Sequence, residues 1–439
     1  MNTTLAATAT RWRGVLAPLK GERVITHNLI VVGGTVLAGM LGVAFQSLVS
    51  HQLQPAAFGG VFAVITLITL IGLPASGFTL LMARETSRDK ASGHYAFSST
   101  LLRRGNVTLV IAGGALGGAI VILSPMLAAA LNVPAQLLLT AAIGVPFGFA
   151  LPLLLGAFQG QQRFLILSVL LVGQAALKLI GALALGLLWG PVGIIAGITA
   201  ASIATYVIAY GFVRQNAAAT HFDGWWRPAG RYLAVVLPST LALAVLLSAD
   251  VLIVKLLFHD REAGEYAAVA ALGRAIFWGA SGVAAVLFPK VVFRGMQGSG
   301  GSHLVGVSLA LVAIGGLGGF VLLNLASVPV LTGFAGQPYA NGAEYLPWYA
   351  VGMTLLGAVA VLIATHQTRG TPGFLGVLLP LTFLEPAALL AFHRDPMQVV
   401  QTLDICMALL LIGLGTLYLL QERIIRRPMV GRSERTNEA

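Results

Sequence analysis

The chain has 439 residues, of which 9% are charged and 57% hydrophobic, and its mean hydropathy is +0.88. Soluble chains carry about 25% charged residues, so composition excludes an ordinary water-soluble domain and predicts a polytopic helical membrane protein. The net charge of +11 would suit a nucleic-acid partner, but membrane topology accounts for where the cations fall, and no nucleic acid is expected.

Residues 1–27 hold Arg11, Arg13, Lys20 and Arg23 without an apolar core followed by a small-residue cleavage site. They read as a basic leader along the cytoplasmic face and not as a secretory signal. A membrane-spanning helix needs about 20 mostly apolar residues. Twelve segments meet that test: 28–50, 58–83, 107–127, 138–160, 165–188, 192–213, 233–258, 265–292, 304–327, 346–368, 372–393 and 399–420. Six precede the polar loop 214–232 and six follow it. The expected organisation is an N-lobe at 28–213, a cytoplasmic loop at 214–232, a C-lobe at 233–420 and a cytoplasmic tail at 421–439. Trp225 and Trp226 beside Arg227 read as an interfacial anchor.

With the N-terminus placed inside, 21 of the 26 Lys and Arg residues fall on inner segments. Only Arg261 and Arg394 fall outside, while Lys178, Lys255 and Arg274 lie within spans. Positive charge stays on the cytoplasmic side, so both termini are expected there, in a bacterial inner membrane. The two halves echo each other. Gly59, Ala63, Val64 and Leu67 recur 205 positions later as Gly264, Ala268, Val269 and Leu272. Gln161 and Arg163 recur 206 positions later as Gln367 and Arg369. Six spans per half leave the halves parallel, related by an axis along the membrane normal. The fold class is therefore all-α: twelve transmembrane helices in two six-helix lobes with a pseudo-two-fold.

Signatures of catalysis are missing: there is no GxxxxGK[ST], HExxH or GxSxG, and no enzyme is expected. His221, His259 and His303 sit in loops without metal spacing. The run Gly113-Gly114-Ala115-Leu116-Gly117-Gly118 reads as a helix-packing surface. Cys406 reads as a small packed side chain, and the Asn106 sequon faces inside. Pro74, Pro146, Pro152, Pro238, Pro380 and Pro386 fall within spans and predict bends.

The informative residues are charges inside spans. Each costs roughly 2.5–3.5 kcal/mol at mid-depth on insertion scales, so it must be paired, wetted or used. Asp250 and Arg274 lie at matching depth on adjacent antiparallel spans and are expected to interact. Lys255 is expected to snorkel to the outer surface. Asp250, Glu385 and Asp404 occupy the outer part of spans seven, eleven and twelve, where three acids suit a proton or sodium site. Glu385-Pro386 is expected to break its helix and free carbonyls for a cation.

Two passages carry a resemblance. One is Leu53-Gln54-Pro55-Ala56-Ala57-Phe58-Gly59, followed by Gly72-Leu73-Pro74-Ala75-Ser76-Gly77-Phe78 and Met82-Ala83-Arg84-Glu85. The other is Asp250-Val251-Leu252-Ile253 with Ala263-Gly264-Glu265-Tyr266-Ala267-Ala268. Gly156 to Arg163 and Phe334 to Ala340 are lesser echoes. From about 28 to 420 the chain resembles the polysaccharide-transporter or O-antigen flippase branch of the multidrug/oligosaccharidyl-lipid/polysaccharide exporter superfamily. The resemblance implies a V-shaped pair of six-helix lobes, a central cavity, alternating access and lipid-linked sugar cargo. It implies membrane lipids, a polysaccharide polymerase and glycosyltransferases as partners. The lipid II flippase branch usually carries two further spans, which this chain lacks.

On that reading Lys178 and Arg274 are the candidate substrate-binding cations, meeting a diphosphate or an acidic sugar. Asp250, Glu385 and Asp404 are the candidate ion-coupling acids. No cofactor is expected beyond possible coupling to H+ or Na+. Two alternatives stand beside a flippase for polyprenyl-diphosphate-linked oligosaccharide. One is a multidrug/cation antiporter of the same superfamily, which needs exposed acids. The other is a non-transporting scaffold of a polysaccharide-synthesis complex, which needs no intramembrane ions.

Overall fold

The structure, a computed structural model, describes residues 22–92, 96–214, 226–296, 302–369 and 372–426. Most of the expected leader, most of the loop 214–232 with His221 and Trp225, and the tail from 427 lie outside the described residues. The elements are α1 (Glu22–Gln52), α2 (Pro55–Gly72), a 3-10 turn (Leu73–Ala75), α3 (Ser76–Ser92), α4 (Ala96–Ala130), α5 (Ala135–Gly160) and α6 (Phe164–Arg214). The second half has α7 (Trp226–Leu246), α8 (Ala249–Leu257), α9 (Asp260–Met296), α10 (Ser302–Ala335), a 3-10 segment (Gln337–Glu344), α11 (Leu346–Arg369), a 3-10 turn (Pro372–Phe374), α12 (Leu375–Ala391) and α13 (Pro396–Arg426).

Ten helical segments are long and apolar enough to cross a membrane among the described residues, against twelve expected. One of the ten, 164–213, covers two expected spans. At ~1.5 Å per residue, 51 straight residues would run about 75 Å, far beyond the ~30 Å hydrocarbon core. Gly190, at φ 57 and ψ −138, breaks α6 there. The two legs then fold back on each other. A Cβ on Gly193 would lie 1.8 Å from the Leu185 carbonyl oxygen, and one on Gly197 would lie 2.3 Å from the Ala182 nitrogen. The helix α9 is not among the ten.

Small residues set the packing in each lobe. Gly156 and Gly160 of α5 seat against the Thr79 and Ala83 carbonyls of α3, at 2.5 and 2.6 Å from their would-be Cβ atoms. Gly113 and Gly117 of α4 face Pro146 and Ala142 of α5, while Gly114 and Gly118 face open space. The glycine run is therefore a one-sided packing surface, as close helix approach requires.

The lobes meet along α2 and α9. Pro55 opens α2, where the missing N–H is an orphan in any helix, and Asp260 and Glu262 occupy the first turn of α9, where the helix dipole favours acids. The repeated glycines touch each other here. A Cβ on Gly59 would lie 3.0 Å from Gly264 Cα, and one on Gly264 would lie 1.8 Å from the Pro55 carbonyl oxygen. Residues related by a two-fold can meet only near its axis. The Gly59–Gly264 contact therefore marks where the pseudo-two-fold passes. Val64 and Val269, another repeated pair, are both fully buried in one core cluster that spans the two lobes.

The two ends of the bundle differ. At one, Asn132 Nδ2 donates to Asp260 Oδ2 at 2.6 Å, Ser47 Oγ to the Phe334 carbonyl at 2.6 Å, and Tyr339 OH to the Leu53 carbonyl at 2.9 Å. These bonds tie the lobes at the cation-poor end, and toward the other end Thr240 Oγ1 of α7 donates to the Pro74 carbonyl at 3.3 Å. At the other, Lys90 donates to the Gln161 carbonyl at 3.0 Å and Arg84 lies 4.9 Å from the Tyr232 ring centroid.

Two local expectations change. Glu385-Pro386 does not break its helix: α12 runs uninterrupted through Pro380 and Pro386. The interruption lies instead at Leu247–Ser248, between α7 and α8. Lys255 does not snorkel to water. It is buried and pairs with Asp260, because α9 starts only five residues later and presents that carboxylate.

Candidate functional site: a buried ionic cluster at the lobe seam

The break at Leu247–Ser248 restarts the helix one residue before Asp250. Asp250 then sits in the first turn of α8, where free N–H groups and the helix dipole favour a carboxylate. The next helix in sequence, α9, brings back Arg274, whose Nη2 donates to Asp250 Oδ1 at 3.0 Å. Two tyrosines complete the shell of the carboxylate. Tyr266 OH and Tyr349 OH both donate to Asp250 Oδ2, at 3.1 and 2.8 Å. Tyr349 reaches this position because residue 273 is glycine. A Cβ there would lie 2.3 Å from the Tyr349 ring.

Arg274 also crosses the seam. Its Nη1 donates to Thr66 Oγ1 on α2 at 3.3 Å, and its guanidinium carbon lies 5.3 Å from the Phe62 ring centroid. A guanidinium suits this arrangement because its planar fork serves two acceptors while its face stacks on a ring.

Glu385 lies close enough to Asp250 and Arg274 to feel both charges. It is wholly buried, and neither oxygen has a hydrogen-bond partner among the described residues. One arginine cannot neutralise two carboxylates. An ionised carboxylate left alone in a dry interior is prohibitively costly, so this cluster requires one bound proton or cation. The hydroxyls of Thr382, one turn before Glu385, and Ser248 are likewise buried without partners. Among the described residues no group of three His, Cys, Asp or Glu has metal-binding geometry. The donors present are oxygens, which suit a proton or a hard monovalent cation.

Asp404 on α13 shares no hydrogen bond or ion pair with Asp250 or Glu385 among the described residues, and its Oδ1 is likewise buried without a partner. It packs against the Gly352 backbone of α11, where a Cβ would come within 2.5 Å of Oδ1. Lys178 stands in the other lobe, between Phe164 and Gly190 and about 20 Å along the helix from either. Its Nζ lies 4.1 Å from the centroid of the buried Phe45 ring. No carboxylate faces it among the described residues. Cys406 is buried, as a packed side chain would be. Sequence reasoning missed Tyr266, Tyr349, Thr66, Ser248 and Thr382. Only Tyr266 lay within a quoted motif, so only it carried a signal.

No protein-family model and no curated protein sequence matches the chain. Solved structures do match. A multidrug resistance MATE family transporter of the MOP superfamily, in an inward-facing conformation, superposes with a TM-score of 0.70 at 13% identity, covering 90% of this chain and 99% of that one. The MATE multidrug transporter DinF-BH gives 0.67 at 16% identity, covering 91% and 96%. The lipid II flippase MurJ, in an inward closed conformation, gives 0.66 at 14% identity, covering 88% and 86%. At these identities the likeness concerns the fold, and over about nine-tenths of its length the chain has the two-lobed fold of these proteins.

Proposed function

We propose that the chain is a multi-pass transporter of the bacterial inner membrane, with both termini cytoplasmic. It flips a polyprenyl-diphosphate-linked oligosaccharide by alternating access, for cell-surface polysaccharide synthesis. The observation that carries the cargo reading is Lys178, a mid-depth cation with an aromatic ring but no carboxylate beside it. Arg274, the other candidate, is committed to Asp250, so the anionic head of the cargo falls to Lys178. A fixed cation lowers the barrier for a diphosphate in a low-dielectric passage, while a single charge keeps release possible. Asp250 and Glu385, with Ser248 and Thr382, form the coupling site, loaded with a proton or Na+. Asp404, held against Gly352 on α11, is a third buried acid without a hydrogen bond to either of them.

The test is complementation of a flippase-deficient strain that makes the native sugar. Lys178→Gln should cut surface polysaccharide about tenfold or more at equal membrane level, the effect of ~1.4 kcal/mol on the barrier. Lys178→Arg should keep part of the activity. Wild-type polysaccharide from Lys178→Gln would overturn the cargo reading. A multidrug/cation antiporter is the second reading, favoured by the unpartnered Glu385 carboxylate. It predicts that expression protects cells from cationic dyes and that Glu385→Gln abolishes the protection.

A further inference from the structure

We propose that Arg274 is a latch between the lobes, anchored on Asp250 in its own lobe and holding Thr66 and Phe62 in the other. The latch keeps the cation-poor end closed, and it lets go when Asp250 loses its charge. The inference rests on the alternating-access reading of the two lobes.

Three observations carry it. First, the contact is made once. At the 205-residue offset, Arg274 corresponds to Thr69 and Thr66 to Ala271, so the repeat supplies no second copy of the bridge. The axial contact between Gly59 and Gly264 is close packing that both halves share. The Arg274 bridge is a polar contact that breaks the symmetry, and it is made by a buried cation.

Second, the two sides of the bridge are unequal. The bond to Asp250, at 3.0 Å, joins opposite charges, and Asp250 is held in turn by Tyr266 and Tyr349. The bond to Thr66, at 3.3 Å, joins a cation to a neutral hydroxyl. The Asp250 side sets the guanidinium plane, and the Thr66 and Phe62 side depends on that plane. Take the charge from Asp250 while Glu385 holds its proton or cation, and the guanidinium is left buried at the seam without a counter-ion. A buried lone charge is strongly unfavourable. Water reaches it most readily if α2 and α9 part.

Third, among the described residues the hydrogen bonds across the seam between Arg274 and the cation-poor end are ones that can be exchanged with water. They are Asn132 to Asp260, Ser47 and Ser50 to the Phe334 carbonyl, and Tyr339 to the Ser50 and Leu53 carbonyls. Releasing the latch therefore removes the charged restraint and leaves neutral or singly charged hydrogen bonds. The ionisable groups around Asp250 are Arg274, Tyr266, Tyr349 and Glu385. Glu385 has no hydrogen bond to lose, so the two carboxylates divide the work. Asp250 anchors the latch, and Glu385 carries the proton or cation while the latch is shut.

The experiment places spin labels at Ala130 and His393, exposed positions of opposite lobes at the cation-poor end, in a Cys406→Ala background reconstituted without cargo. Thr66→Val with Phe62→Leu removes the N-lobe half of the latch and leaves the Asp250–Arg274 pair in place. Asp250→Asn removes the anchor. Each should shift the open-to-closed ratio at least about tenfold toward the longer distance, a coupling of ordinary allosteric size. Thr66→Ser, which keeps the hydroxyl, and Glu385→Gln, which keeps the anchor, should stay closed. A wild-type distance distribution in the Thr66→Val/Phe62→Leu protein overturns the latch, and so does one in Asp250→Asn. Polysaccharide export by Lys178→Gln is read separately, so the latch and the cargo reading fail independently.

Discussion

Replacing Gly264 with alanine should force the lobes apart where their backbones come closest. The added Cβ would lie 1.8 Å from the Pro55 carbonyl oxygen and 2.3 Å from its carbon, where ordinary contact begins at 3.4 Å. Restoring contact needs a separation of about 1.6 Å along that vector, more than a packed seam can absorb by side-chain adjustment. Overpacking a filled contact by a methyl costs typically 1–3 kcal/mol. Carried wholly by the closed arrangement, that is roughly a 5- to 150-fold shift in favour of the open one. Gly59→Ala is the milder case, because its Cβ meets Gly264 at 3.0 Å. Gly114→Ala is the control, since nothing lies within 4 Å of its Cβ. The assay is the distance between labels at Ala130 and His393, with the thermal midpoint of the purified protein measured alongside. The expected order of opening is Gly264→Ala, then Gly59→Ala, then Gly114→Ala at the parent value. Equal behaviour of Gly264→Ala and Gly114→Ala would refute the placing of the axis at this contact.

Removing either member of the Asp250–Arg274 pair should destabilise the protein by about 3–5 kcal/mol, because the other charge stays buried. Exchanging the two residues should recover expression better than Asp250→Ala or Arg274→Ala alone, and a fully stable, active Arg274→Ala protein would show the pair to be dispensable. Glu385→Gln keeps the shape and needs no counter-charge, so it should express normally. Na+ or a proton that binds only the folded protein raises its stability by mass action, and Glu385→Gln should lose that cation-dependent rise in melting temperature; retention of the rise would move the site elsewhere. For orientation, cysteines at Ala56 and Gln337 in the Cys406→Ala background should react with a membrane-impermeant thiol reagent on intact cells, and one at Ala91 should not. Labelling of Ala91 would reverse the topology.

Much of the site was legible because the cost of a charge in lipid makes every such residue conspicuous. Asp250 and Arg274 could be paired on paper, since consecutive antiparallel spans must be neighbours and depth can be counted along each. Glu385 could be marked as costly. The way Asp404 faces could not be read. Depth alone does not say which way a residue faces, and the rotation of α13 turns Asp404 toward Gly352. Tyr266, Tyr349 and Thr66 were hidden for a related reason. A tyrosine or threonine in an apolar span breaks no rule, and its partner is chosen by helix rotation and not by any spacing. The break was misplaced for another reason. Pro386 removes one N–H, which a helix can tolerate, whereas Ser248 at φ −130 leaves the helix with no proline to announce it.

By itself the sequence determined the membrane class, the positions of the helices, the separation of cation-rich from cation-poor ends and the two-fold repeat. These properties are sums over local stretches: twenty apolar residues span a bilayer whatever surrounds them, and loop cations choose a side one loop at a time. Tertiary structure alone decided that Gly59 and its repeat Gly264 meet on the axis. It also decided that Arg274 reaches across to Thr66 and that Glu385 is left without a hydrogen bond. Those outcomes depend on how helices far apart in the chain rotate and close against one another, and only close packing of the assembled lobes settles that.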